Sequence, residues 1–267
     1  MINKNIIEFK SGSLLTKEML QSMYDYPIDI LNCLYSSYSN GILSGFDVIK
    51  REEEYYITSG LIKLNNCIYI MKEDFKLNTL FCDLEESTIY NIVFVEVSNG
   101  INENGVKRFS LEILLENMVK DKENIKFRFG SFKCGRNSKL ELPSTVDSLF
   151  ENNVLNLIKL EYAQNNESTY HPLIFRCILK YLKDKKNKNM LDYLIINEIS
   201  KNNVLNLQII RTYIEERGFS IENLDREELL QKFIEAIKHN ENKQKTVKNE
   251  NEDLESDDEE DEDFMLY

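Results

Sequence analysis

The period of apolar residues changes twice along the chain. Residues 15–38 carry apolar positions at helical spacing, residues from about 41 to 142 alternate at strand spacing, and residues beyond 143 return to helical spacing. Strands that follow one another without intervening helices are expected to pair antiparallel. The pattern therefore predicts an α+β protein with a short N-terminal helical segment, an antiparallel β-rich domain built as a sandwich or small barrel, a C-terminal helical bundle and a disordered acidic tail. The predicted boundaries are 1–40, 41–142, 143–239 and 240–267.

The N-terminal helical segment is predicted as two helices that follow a short strand at residues 6–9. Thr16 suits the N-cap of the first helix, and Pro27 suits the first turn of the second, where its missing N–H costs least. Four tyrosines concentrate here. Core and boundary packing is their more common role, and a partner-binding surface is the alternative, because tyrosine is enriched at protein contacts. The four are Tyr24, Tyr26, Tyr35 and Tyr38.

The β-rich region contains short strands separated by turn residues. Asn65-Asn66 favours a two-residue hairpin turn, since asparagine tolerates positive φ. Residues 88–97 are almost continuously apolar, which indicates a central strand buried on both faces. Apolar positions change side after Gly130, which suggests a bulge. Short strands are also predicted at 54–58, 60–64 and 67–72, and apolar and polar residues alternate at strand spacing over 108–116 and 125–129.

The C-terminal half carries four apolar stripes at helical spacing. Gly218 is expected just after the third helix, and Asp225 with Glu228 forms a capping box at the start of the fourth. A lysine cluster between the first two stripes is expected to lie in an exposed loop. The hexapeptide NNVLNL occurs at 152–157 and 202–207, as a chance repeat or as a duplicated helical hairpin. The stripes run over 173–182, 190–199, 205–214 and 229–237, and the lysines are Lys183, Lys185, Lys186 and Lys188.

The negative charge is concentrated at the C-terminus. The chain has a formal net charge of -13, and residues 240–267 contain 3 Lys and 12 Asp or Glu. Seven consecutive carboxylates repel one another and cannot offset the entropy cost of ordering, so a disordered tail is expected. It serves as a solubilising tail or, through an apolar tip, as a docking peptide. The tip is Phe264, Met265, Leu266 and Tyr267.

The sequence contains none of the motifs that commonly mark catalysis. There is no phosphate-binding loop, no nucleophile elbow and no Cys-x-x-Cys pair, and the histidines His171 and His239 both lie at expected helix ends. We therefore expect no cofactor, no metal site and no catalytic residues. The scattered cysteines indicate a reducing compartment, and nucleic-acid binding and membrane insertion are not expected. A hydrolase built on loop carboxylates is a remaining alternative. Its candidates are Glu52, Glu53, Glu54, Asp83, Glu85 and Glu86.

Residues of about 5–72 share a sequence of turns and apolar positions with a known class of proteins. This region resembles small proteins encoded in clostridial prophages and in phage-tail-like contractile particles, and it is similar to the opening of tail-fibre and baseplate proteins. The resemblance implies a structural or assembly role without catalytic residues. It is carried by Gly12–Leu20, Tyr26-Pro27, Tyr38–Gly45, Ile57–Lys63 and Ile68-Tyr69.

Two non-enzymatic functions follow from these observations. The first is a structural component of a phage tail or tail-like particle in the baseplate or fibre region. Its expected partners are other tail or baseplate proteins, and a homo-oligomer is the further option. The second is a phage-encoded assembly factor or chaperone that engages partners through the acidic tail. Either protein would be present in the bacterial cytoplasm during assembly, and the first would remain in the particle.

Overall fold

The computed structural model of the protein describes residues 12, 14–65, 67–80, 88–101, 107–133, 140–151 and 154–239. Several predictions fall outside these ranges. They are the strand at 6–9, the turn residue Asn66, the carboxylates Asp83, Glu85 and Glu86, and the tail 240–267 with its tip Phe264, Met265, Leu266 and Tyr267.

The chain is an α+β protein, as predicted, and its described residues form antiparallel sheets and five α-helices. The strands are β1 (Gly41–Gly45), β2 (Val48–Arg51), β3 (Glu54–Ile57), β4 (Gly60–Leu64), β5 (Cys67–Met71), β6 (Phe75–Lys76), β7 (Ile89–Ile101), β8 (Lys107–Leu115) and β9 (Ile125–Lys133). These described strands form three-stranded sheets in the orders β1-β4-β5, β2-β3-β6 and β8-β7-β9. The helices are α1 (Lys17–Leu34), α2 (Pro172–Asp184), α3 (Met190–Asn202), α4 (Leu207–Glu216) and α5 (226–239).

Three strand predictions are confirmed by the sheets. The turn between β4 and β5 has Asn65 at φ 47°, in the left-handed region that asparagine tolerates. β7 is the central strand of its sheet, and its residues 92–95 are all buried. In β9, Phe127 and Phe129 are buried before Gly130, and Phe132 is buried after it, so the buried side changes where the sequence indicated.

The chain divides into two compact units that are discontinuous in sequence. Unit 1 comprises residues 1–82, 93–127 and 161–168, and unit 2 comprises residues 83–92, 128–160 and 169–267. α1 belongs to unit 1, and the other four helices belong to unit 2. The domain boundaries 1–40, 41–142, 143–239 and 240–267 stay a prediction.

Two glycines of unit 1 allow backbones to approach closely. Gly41 has φ +130°, and a Cβ there would lie 2.6 Å from the carbonyl oxygen of Glu161. Gly45 has φ +67°, and its Cβ would collide with the carbonyl oxygen of Ser59. These two glycines of the segment that resembles tail proteins are therefore required by strand packing, because any side chain would collide with neighbouring backbone.

The N-terminal helical segment is one helix and not the predicted two. α1 continues through Pro27, with Thr16 as its N-cap: Thr16 Oγ1 accepts a hydrogen bond from the Met19 N–H at 3.2 Å. The prediction of a break was wrong because proline removes a single N–H from the ladder, while the hydrogen bonds of an 18-residue helix continue on both sides of it.

The apolar stripes of unit 2 form its helical core, with one correction. α2 buries six residues, including Ile174, Phe175 and Ile178. In α3, however, Met190 and Leu194 from the predicted stripe are exposed, and Asp192 is buried instead. The stripe was wrong there because the buried face of α3 accommodates a carboxylate, which hydrophobic periodicity cannot indicate.

The predicted helix ends of unit 2 are confirmed. Gly218 follows α4 with φ +80°, and its N–H donates to the Glu215 carbonyl at 2.8 Å. Asp225 Oδ1 accepts from the Glu228 N–H at 2.9 Å, and Glu228 Oε2 accepts from the Asp225 N–H at 2.8 Å. These contacts form the capping box that the sequence predicted for α5.

The two copies of the repeated hexapeptide share a local asparagine turn, but only one of them is followed by a helix. Asn156 and Asn206 each accept a hydrogen bond from the N–H two residues later, at 2.9 and 2.7 Å, and the flanking valine and leucines are buried in both copies. The second copy leads directly into α4. The first does not, since residues 154–171 contain no α-helix. The interpretation as a duplicated helical hairpin was therefore wrong.

Candidate interaction surface

α1 is amphipathic, with a broad apolar face and a separate acidic face. At 3.6 residues per turn, five residues spaced alternately by three and four lie in one line along the helix. We call this line the α1 seam. Its members are Leu20, Met23, Pro27, Ile30 and Leu34. The acidic residues Glu18, Asp25 and Asp29 lie on the opposite side, where Gln21 Nε2 donates to both carboxylate oxygens of Asp25 at 2.8 and 2.9 Å.

The apolar face of α1 is exposed to solvent. No residue of this helix is buried. Leu20 is 52% exposed, Met23 50% and Leu34 63%. Nine large apolar side chains are exposed between residues 14 and 34, whereas a soluble monomer usually scatters such residues singly. The nine are Leu14, Leu15, Leu20, Met23, Tyr24, Tyr26, Ile28, Ile30 and Leu34.

Lys63 fixes the C-terminal end of α1 to β4. Its Nζ donates to the carbonyl oxygens of Tyr35, Ser36 and Tyr38 at 2.6, 3.4 and 2.7 Å. The ammonium group is buried, and it lies at the helix end where main-chain carbonyls leave partial negative charge. β4 thus orients α1 from one end, while no residue along the helix is buried against the core.

The predicted partner-binding tyrosines fall into two pairs. Tyr24 and Tyr26 are exposed on α1, so core packing does not describe them. Tyr35 and Tyr38 are half-buried at the end of the helix, where their rings meet edge to face with centroids 5.3 Å apart. Only the first pair presents its rings freely, and the role of all four in partner binding stays a prediction.

Sequence reasoning missed the main component of this surface. It identified the tyrosines by residue type, but the α1 seam is aliphatic and runs through Pro27. The signal was present as the alternating three- and four-residue spacing from Leu20 to Leu34. The helix start expected at Pro27 divides this line into two shorter stripes.

A buried charged network connects the helices of unit 2. Lys185 Nζ lies 3.0 Å from Asp192 Oδ2 and donates to the Ile237 carbonyl at 2.7 Å. Asp192 Oδ1 accepts from Tyr213 Oη at 2.6 Å and from Arg217 Nη2 at 2.8 Å. The prediction of an exposed loop was thus wrong for Lys185, because its side chain turns inward to a buried carboxylate.

The contacts of this network shift two pKa values. Burial of Asp192 opposes ionisation, but hydrogen bonds from Tyr213 and Lys185 outweigh it and hold the pKa of the carboxyl below its ordinary value. Burial, and then the hydrogen bond to Asp192, raise the pKa of Tyr213. The ionised carboxylate thus serves as a common acceptor for α3, α4 and the segment after α2, which makes this network a structural centre.

Two of the candidate hydrolase carboxylates that the structure describes, Glu53 and Glu54, are engaged in surface contacts. Glu54 Oε1 lies 2.5 Å from Lys76 Nζ, and Glu54 Oε2 accepts from Tyr56 Oη at 2.9 Å. These two hydrogen bonds, from Lys76 first, lower the pKa of Glu54. A general acid at neutral pH needs a raised pKa, so Glu54 is poorly suited to that role. Glu53 pairs with Lys50 at 3.2 Å, and Glu52 occupies the turn at φ 54°.

Unit 1 also contains a cavity of about 880 Å³. The Tyr69 hydroxyl donates to Glu96 Oε1 at 3.1 Å, and Glu96 Oε2 lies 3.5 Å from Lys126 Nζ. Burial and the bond to Glu96 raise the pKa of Tyr69 to about 12, so its hydroxyl remains protonated at neutral pH. The lining of the cavity combines apolar side chains with the charged residues Lys72, Glu73, Asp74 and Glu112. Its lining includes Phe46, Ile62, Tyr69, Met71, Phe94 and Ile113.

The ends of α2 and α5 account for the two histidines. His171 is the buried N-cap of α2, and its Nδ1 accepts from the Leu173 N–H at 3.2 Å. His239 closes α5 and meets the Phe219 ring edge to face at 5.4 Å. Within the described ranges, no group of three or more His, Cys, Asp or Glu is arranged to hold a metal ion.

The remaining described features concern thiols and membranes. Cys33 and Cys67 are exposed and unbridged, and burial raises the pKa of Cys177 to about 11. No helix in the part of the chain that the structure describes is long and apolar enough to cross a membrane.

Comparisons with known proteins give a weak structural likeness. No family model matches the chain. No curated protein matches it either. Among solved structures, the chain is similar to a crystal structure of TssK, with a TM-score of 0.35 and 9% sequence identity over 87% of this chain and 67% of that one. A likeness at this TM-score does not establish a shared fold.

Proposed function

We propose that the protein is a structural component of a phage tail or tail-like contractile particle, in the baseplate or fibre region, and that it acts by protein–protein contacts without catalysis. The observation that carries the proposal is α1, an 18-residue helix that displays an apolar face and buries none of its residues. Its partners are other tail or baseplate proteins. The protein is located in the bacterial cytoplasm during assembly and then in the particle.

The energetics of α1 support a contact function. Most helices in proteins are stabilised chiefly by packing of their apolar face and not by the intrinsic helix propensity of their residues. α1 receives little such stabilisation within its own chain, because its apolar side chains remain exposed. A partner that covers this face would stabilise α1 by roughly 25 cal/mol for each Å² of apolar surface removed from water.

The assignment to a tail particle is supported by the sequence resemblance of residues 5–72 to tail-fibre and baseplate proteins. That region includes α1 and the strands β1 and β4, whose glycines Gly41, Gly45 and Gly60 are needed for close backbone approach. The resemblance concerns a framework of turns and apolar positions, which suits a protein that holds neighbours in place.

The test is mass spectrometry of particles purified from induced host cells. We expect peptides of this chain at a constant ratio to known tail proteins across preparations. A matched pair of variants examines α1: Ile30→Glu places a charge on the α1 seam, and Asn32→Glu places the same charge on the polar face. The first should reduce incorporation and the second should not. A chain present in the lysate and absent from particles would contradict the proposal and favour an assembly factor.

A further inference from the structure

The spacing of the α1 seam indicates which partner covers it. From Met19 to Leu34, every position equivalent to a, d, e or g of a heptad is apolar or tyrosine. The a and d positions are the seam itself. The flanking positions are Met19, Tyr24, Tyr26, Leu31 and Cys33. This arrangement over two heptads is typical of helices that pack against other helices along their length.

The charges of α1 are placed so that a copy of the same helix can approach it. Glu18 and Asp25 occupy f positions and Asp29 occupies a c position, all on the outer side of the heptad. In a pair formed by two identical acidic helices, like charges at e or g would oppose one another. α1 has no acidic residue at either position between Met19 and Leu34, so self-association brings no carboxylates together.

The exposed apolar surface is large enough for a stable contact. Six large apolar side chains on this face of α1 are 41–67% exposed and present on the order of 600 Å². They are Leu20, Met23, Tyr24, Tyr26, Ile30 and Leu34. Specific protein interfaces bury roughly 800 Å² on each partner. α1 can therefore supply most of one side of a self-complementary interface.

We infer that α1 is a self-association helix, and that the occupant of the α1 seam is the α1 of a second copy of this chain. This inference deepens the proposed contact function, and it rests on that proposal because both assign a contact role to α1. The buried contacts of Lys63 with Tyr35 and Tyr38 hold the helix by its C-terminal end, so the seam stays available along its length. Each copy would then contribute one helix to the shared contact.

The first test is the molar mass of the full chain by light scattering over a range of micromolar concentrations. We expect a mass that rises toward a multiple of 31.5 kDa. Ile30→Glu should raise the dissociation constant more than about tenfold, because the charge would be desolvated in the contact. Asn32→Glu is the matched control and should leave it unchanged. Ile30→Ala removes the apolar side chain but keeps a strong helix former. It should raise the dissociation constant less than Ile30→Glu does, and this increase would come from lost packing and not from loss of the helix.

A charge exchange identifies the partner as a second copy. Chains carrying Ile30→Glu and chains carrying Ile30→Lys should each be largely monomeric alone and should associate when mixed. Only contact between the seams of two copies predicts this rescue. A monomeric wild-type chain, association that Ile30→Glu leaves intact, or a mixture that stays monomeric would each overturn the inference.

Failure of the inference can be distinguished from failure of the proposed function. A monomeric chain that still enters particles would leave the structural role standing and assign α1 to a different protein or to another part of this chain. A chain that associates through α1 but never occurs in particles would retain the self-association helix and overturn the tail assignment.

Discussion

α1 and α2 carry similar patterns of apolar residues and have opposite environments. In α2, the apolar side chains Ile174, Phe175 and Ile178 are fully buried in unit 2. In α1, the corresponding stripe is exposed from Leu20 to Leu34. Periodicity thus identifies the apolar face of each helix, but it does not reveal whether that face is covered by the same chain. The difference indicates that α2 stabilises the fold and that α1 is available for association.

The two helices are also fixed at their C-terminal ends in different ways. After α2, the buried ammonium of Lys185 is paired with the carboxylate of Asp192. After α1, the buried ammonium of Lys63 contacts main-chain carbonyls, including those of Tyr35 and Tyr38. The first lysine connects elements of the core, whereas the second orients a helix that has little other support.

The largest expected effect concerns the charged network beyond α2. Asp192→Ala would leave Lys185 and Arg217 buried without their carboxylate, so the free energy of unfolding should fall by about 3–5 kcal/mol. Asp184→Ala, at an exposed aspartate at the end of α2, is the matched control and should change it by less than about 0.5 kcal/mol. Urea unfolding monitored by circular dichroism measures both. Equal effects would mean that the network contributes no more than a surface charge.

The next largest effect is the loss of unfolding free energy when a buried isoleucine of α2 is truncated, compared with an exposed isoleucine of α1. Ile178 is 0% exposed in α2 and Ile30 is 41% exposed in α1. Ile178→Ala should lower the free energy of unfolding by about 2–5 kcal/mol, because it removes buried methylenes and leaves a cavity. Ile30→Ala should change it by about 0.5 kcal/mol or less in dilute protein. A large loss for Ile30→Ala in the monomer would show that α1 is covered within its own chain.

A smaller effect is expected at the end of α1. Lys63→Met removes the charged donor to the Tyr35 and Tyr38 carbonyls and should cost about 1.5–3 kcal/mol for the local opening of this region. Hydrogen exchange of the amides at residues 31–38 should accelerate accordingly. Lys72→Met, at an exposed lysine in the same unit, should leave their exchange unchanged. Unaltered protection in Lys63→Met would mean that α1 is held by other contacts.

The smallest effect is a difference in acid sensitivity. The folded-state pKa of Asp192 lies below its ordinary value of 3.8. The stability that this carboxylate contributes is therefore complete above that ordinary pKa, and it is lost as the pH falls through the depressed folded pKa. Asp192→Asn should flatten the dependence of unfolding free energy on pH below about 4. An unchanged pH dependence would indicate that other carboxyl groups dominate it.

The sequence predicted much of the fold because most of its signals are local. The capping box of Asp225 and Glu228, the glycine after α4 and the asparagine turn at Asn65 each depend on residues a few positions apart. The continuous apolar run at 88–97 likewise indicated the central strand β7. Prediction failed at Pro27 because one missing N–H does not end a helix that continues on both sides of it. It failed at Lys185 because burial of that side chain depends on what surrounds it and not on its neighbours in sequence.

The candidate site was predicted only in part for the same reason. The tyrosines were predicted as contact residues from their residue type, and Tyr24 and Tyr26 do lie exposed on α1. The aliphatic α1 seam was missed, since an amphipathic helix that faces a partner has the same periodicity as one that faces its own core. Exposure separates the two, and exposure is a property of the folded chain.

The sequence by itself determined where the secondary structure lies, the α+β class and the ends of several helices, because hydrogen-bonding caps and apolar periodicity act over a few residues. Only the tertiary structure decided which apolar faces are covered and which charges are buried. Lys185 meets Asp192 and Ile237, and Lys63 meets the end of α1, through contacts between segments separated along the chain. Burial depends on all the elements packed around a position, so it emerges only when the whole chain has folded.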